Sequence, residues 1–134
     1  MIQQISSHPI IYAPVSIGEL VDKITILEIK KDFLKGSKTK NVKYELNNLR
    51  EILNKCNFTV EEEFFKKLKC VNQKLWEIED LIRIKELEKT FDNDFIDLAR
   101  SVYKENDLRF LIKQEINTKY GSRIIEEKGY SFNE

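Results

Sequence analysis

Eight residues able to do chemistry fall on or beside the apolar stripes of three long helical patterns. They are Glu28 in the first, Asn72, Glu79, Arg83 and Glu86 in the second, and Asn106, Arg109 and Lys113 in the third. If those stripes face one another, carboxylates and cations converge inside a small helical bundle. A buried charge is costly unless it is paired or left partly wet. The cluster is therefore either an internal ion-pair network that fixes helix register or a binding site. Arginine offers a forked contact to carboxylate or phosphate, and lysine a point charge. The ligand of such a site would be a small anion, and the number of groups exceeds what a register-fixing network usually needs.

Composition sets the frame that must position these groups. The chain has 134 residues, 41% hydrophobic and 34% charged, with only four glycines and two prolines. Few breakers and many Lys, Glu, Leu and Ile favour long amphipathic helices in one domain. The 23 basic and 23 acidic residues cancel, so the basic excess that neutralises phosphates in most nucleic-acid binders is missing. Cys56 and Cys70 stand too far apart for a metal knuckle and are too few for a disulfide framework. At apolar positions of their helices, they read as buried free thiols. His8, the only histidine, leaves little for histidine catalysis or zinc binding. No cofactor or metal site is expected, and no catalytic residue can be named. No apolar run approaches the ~20 residues of a membrane span, and the first residues lack a secretory pattern. A cytoplasmic location is expected.

The elements follow from periodicity and capping. Residues 1–15, with Ile10, Ile11, Tyr12 and Val15 held between Pro9 and Pro14, read as an extended arm. Residues 16–121 read as an all-α bundle of about four helices, two of them long. Ser16 with Glu19 makes a capping box for the first helix, which should stop at Gly36. Its apolar residues form two stripes, Ile17–Leu20–Val21–Ile24–Leu27–Leu34 and Ile26–Ile29–Phe33, so it is central in the bundle or touches a partner. After a basic connector, Gly36 to Lys40, a one-sided second helix runs to about Cys56. Thr59 with Glu62 suggests a second capping box, opening a helix to about Lys89. Asp92 caps the fourth helix, which Gly121 ends. If that helix is continuous through Glu105–Asp107, Asn106, Arg109 and Lys113 follow the seam begun by Phe95, Leu98 and Val102; a kink there would turn Leu108, Leu111 and Ile112 inward instead. Residues 122–134, with Ile124, Ile125, Tyr130 and Phe132, form a tail.

Two enzyme templates can be set against these residues. All-α NTP pyrophosphohydrolases hold magnesium with E-x-x-D and E-x-x-E carboxylates; here Glu19–Asp22 and Glu77–Asp80 supply the spacing, although Glu77 and Asp80 point away from their seam. A helical mutase of the chorismate type needs only Arg and Lys to clamp a dicarboxylate, but the arginines expected on its opening helix are absent.

Four blocks resemble a bacterial family of small uncharacterised helical proteins. They are VSIGELVDKITILEIK (Val15 to Lys30), VNQKLWEIEDLIR (Val71 to Arg83), FIDLARSVYKENDLRFLIKQEIN (Phe95 to Asn117) and GSRIIEEKGY (Gly121 to Tyr130). The resemblance implies a setting among glycosyltransferases and tetratricopeptide proteins of surface-polysaccharide or lipopolysaccharide assembly. The leading expectation is an accessory module with a charged cleft for an anion such as a sugar nucleotide. A small helical enzyme of either template, and a structural homodimer joined through the first helix and the arm, are the alternatives.

Overall fold

The computed structural model describes residues 8–130. Four helices follow one another: α1 (Ile17–Phe33), α2 (Ser37–Asn54), α3 (Glu62–Glu88) and α4 (Asn93–Tyr120). The architecture is all-α, as composition and periodicity require. α1 is the central element and packs on all three of the others, while α3 and α4 form a long antiparallel hairpin. The broader apolar stripe of α1 is divided between two neighbours. Leu20, Ile24 and Leu27 bury against Val42 and Leu46 of α2, and Val21 joins Phe64, Leu68, Val71, Ile112 and Ile116 of the hairpin.

The start of α1 is held unusually well. A helix N-terminus leaves its first N–H groups without partners. Here Ser122 Oγ accepts from Ile17 N at 3.2 Å, Asn117 Oδ1 from Gly18 N at 2.7 Å, and Ser16 Oγ from Glu19 N at 3.1 Å. Gly18 permits this approach: a Cβ there would lie 2.6 Å from the Lys113 carbonyl oxygen. α1 and α4 therefore cross almost backbone to backbone.

Three boundaries differ from expectation. α1 ends at Phe33 with Leu34 extended, and Gly36, in the left-handed half of φ space (φ 68°), becomes the N-cap of α2. The basic connector thus shrinks, and Lys38 and Lys40 lie on α2. Thr59 does not cap α3. Glu61 holds that position without a side-chain cap, and its N–H donates to Tyr120 Oη at 2.8 Å, while Val60 enters the core. Cys70 is exposed and Cys56 half-buried, because Cys70 lies about 200° round α3 from buried Leu68. The cap by Asp92 and the left-handed Gly121 stop are as read from sequence.

α4 is continuous for 28 residues. Nothing in Glu105–Asp107 can break it, since the segment has neither proline nor glycine. The arm from His8 to Val15 is exposed, and Ile10, Ile11, Tyr12 and Val15 line an open apolar groove with Leu20, Tyr44 and Ile52. The expected arm residues 1–7 and tail residues 131–134, including Phe132, lie outside the described residues. No helix among the described residues is long and apolar enough to cross a membrane.

Candidate ligand-binding groove

A residue outside the eight named from the apolar stripes lies at the centre. Asp22 is fully buried, and every contact of its carboxylate is accounted for. Arg109 Nε donates to Oδ1 at 3.0 Å and to Oδ2 at 3.1 Å, and a terminal guanidinium N–H also donates to Oδ2. Asn72 Nδ2 donates to Asp22 Oδ1 at 2.9 Å and to Thr25 Oγ1 at 3.0 Å. Thr25 in turn donates to the Asp22 carbonyl at 2.8 Å. The bidentate pair ties α1 to α4, and Asn72 brings in α3. The hydrogen bonds to Asp22 raise the Arg109 pKa against the opposing effect of burial.

Asp22 could have been found from spacing. Asp22, Ile26, Ile29 and Phe33 step 4-3-4 along the second stripe of α1, so an acid heads an apolar row. Its exact counterpart across the bundle, an arginine on another helix, is what a buried carboxylate needs.

Arg109 remains partly open, with 27% of its side chain accessible. It forms the floor of a groove of about 380 Å³ between α1 and the hairpin. Ile26 and Ile29 line one wall, and Leu75, Trp76, Glu79, Asp80 and Arg83 the other, with Asn72 beside Arg109. Phe33, at the end of α1, stacks on Trp76 at 5.3 Å between centroids. Asn106 Oδ1 lies 3.5 Å from a second guanidinium nitrogen of Arg109. The guanidinium keeps donors in reserve beyond those given to Asp22 and Asn106.

Of the eight residues singled out by sequence, Asn72, Glu79, Arg83 and Arg109 line this groove and Asn106 supports it. Three stand elsewhere. Glu28 faces the α2 side of α1, 3.8 Å from Arg50 and 3.7 Å from Lys69. Lys113 is buried near the start of α1, where it bonds Glu19 at 2.8 Å and Glu126 of the tail at 3.1 Å. Burial works to lower its pKa, but those two hydrogen bonds outweigh it and the pKa is raised. Glu86 is exposed on the distal part of α3. Glu79 and Arg83 also form an exposed i,i+4 pair at 3.8 Å.

The carboxylates of the pyrophosphohydrolase template are occupied differently. Asp22 is closed off by Arg109 and Asn72, and Glu19 bonds Lys113. Among the described residues no three His, Cys, Asp or Glu side chains stand close enough together to hold a metal ion.

No curated protein and no solved structure matches the chain. Residues 11–133 match DUF6165, a family of unknown function, and the chain belongs to that family.

Proposed function

We propose that the protein is a binding module whose groove takes a small anionic ligand, with a sugar nucleotide as the class that fits it best. The observation that carries this reading is the position of Arg109. Its guanidinium is fixed from behind by a buried carboxylate, yet its free edge lies on the floor of an open groove that also holds Arg83. A pre-oriented arginine loses little freedom on binding, which is what recognition of phosphate or carboxylate requires. Ile26, Ile29 and Trp76 offer an apolar wall for a base or sugar face, and Glu79 and Asp80 can accept from its hydroxyls. Such a module would serve surface-polysaccharide assembly in a bacterial cytoplasm, beside a glycosyltransferase or a tetratricopeptide protein. The resemblance of its sequence blocks supports that setting.

The competing reading treats the polar cluster as scaffold. It draws on the saturation of Asp22, whose oxygens need nothing more. Trp76 separates the two, because it is the only tryptophan and lines the groove. Titration with uridine and thymidine diphosphate sugars should change its fluorescence saturably in wild type. The change should disappear in Arg83→Ala, a substitution at an exposed position that leaves the Asp22 network intact. An unresponsive wild type would leave scaffold as the role of the cluster. Release of pyrophosphate on adding magnesium and a nucleoside triphosphate would favour the enzyme alternative.

A further inference from the structure

The charges of this neutral chain are segregated. Residues 77–108, the distal part of the α3–α4 hairpin, carry ten Asp and Glu against five Lys and Arg. Residues 30–43, the end of α1 and the start of α2, carry Lys30, Lys31, Lys35, Lys38, Lys40 and Lys43 against Asp32 alone. None of these six lysines has an ion-pair partner among the described residues.

The two regions meet at a step in the molecule. The stacking of Phe33 on Trp76 sets the end of α1 level with the middle of α3. α3 continues for twelve residues beyond, to Glu88, about 18 Å at ~1.5 Å per residue. The hairpin therefore projects past the basic α1–α2 turn, leaving a notch between them. No residue from 73 to 111 is buried. Yet Leu81, Ile84, Leu87, Ile96 and Tyr103 all lie in that stretch and are exposed.

We infer that two copies of the chain pair about a two-fold axis, with the acidic hairpin of each lying in the basic notch of the other. The inference goes beyond the ligand reading and does not depend on it. A two-fold contact of this kind is closed, so it yields a dimer and no filament. Each hairpin gains opposite charge along its length and apolar cover for side chains that the single copy leaves in water. An anionic bilayer fits the same lysines less well, because the hairpin would reach it first with negative charge.

A charge swap tests the contact. One variant carries Lys35→Glu, Lys38→Glu and Lys40→Glu; the other carries Glu86→Lys, Glu88→Lys and Asp97→Lys. All six positions are exposed, and helicity by circular dichroism checks that each variant folds. Sedimentation at roughly 100 µM protein and about 50 mM salt should show a wild-type dimer that dissociates at least tenfold more readily at ~500 mM salt. Each variant alone should be monomeric. An equimolar mixture should restore the dimer, because both contacts of the mixed pair then join opposite charges. A monomeric wild type would overturn the inference. So would a dimer indifferent to either substitution set, or a mixture that stays monomeric.

Discussion

Asp22 and Arg109 are the residues on which the three-helix junction turns. The carboxylate is completely buried and the guanidinium mostly so, so neither can lose its partner without stranding a charge. Asp22→Ala should cost about 3–5 kcal/mol in urea denaturation, the usual penalty for orphaning one member of a buried pair. Replacing both, as Asp22→Leu with Arg109→Met, should cost less than Asp22→Ala alone, because no charge is then stranded. A double variant worse than the single would refute the pairing as the main source of the loss. Gly18 makes a second point at this scale. An added methyl meets the Lys113 backbone, not a flexible side-chain end, so Gly18→Ala should destabilise by about 1–3 kcal/mol through overpacking. A neutral result would mean that the α1–α4 crossing can open.

Lys113 links residue chemistry to pH. Its folded pKa stands above the ordinary 10.5. A cation held this way contributes fully below the unfolded value, and the contribution is lost as pH rises through the folded one. Thermal denaturation from about pH 8 to about pH 12 should therefore show wild type losing stability at the alkaline end. Lys113→Met should show a flatter profile there. Equal slopes would contradict the Glu19–Lys113–Glu126 bridge.

At the scale of elements, stability is concentrated at one end of the hairpin. Leu68 is fully buried and Leu81 half-exposed on the same helix. Leu68→Ala should cost about 2–5 kcal/mol. Leu81→Ala, measured in dilute protein, should cost no more than about 0.5 kcal/mol. Amide exchange in dilute protein at high salt, where paired copies separate, should follow the same gradient, fastest near Lys89 and slowest near Leu68. Uniform protection along α3 under those conditions would contradict it. The elements themselves were largely legible in the sequence. Ser16, Asp92 and Gly121 carry local capping signals, and the two stripes of α1 announce a central helix. Thr59 misled because Tyr120, 59 residues along the chain from Glu61, accepts from the Glu61 N–H at the helix start instead. Long-range hydrogen bonds of that kind leave no local trace.

Across the whole molecule, five of the eight polar residues singled out from the sequence lie together and three do not. Asn72, Glu79, Arg83, Asn106 and Arg109 converge because α3 and α4 are regular and continuous, so spacing alone orders them. Glu28 and Lys113 diverge because α1 buries two faces, and periodicity cannot say which neighbour each face meets. Asp22 was hidden by its place at the head of the shorter stripe. The resulting molecule is a neutral chain with an arginine-floored groove at its waist and opposite charges at its step.

Side-chain NMR during titration with uridine diphosphate glucose tests the central claim most directly, because Arg109, Arg83 and Trp76 each carry a distinct N–H signal. The account predicts saturable shifts of Arg109 Nε–H, Arg83 Nε–H and Trp76 Nε1–H, with the Lys113 region unmoved. Shifts confined to Lys113 and the tail, or no shift as the nucleotide approaches about 10 mM, weaker than any affinity of functional use, would contradict it.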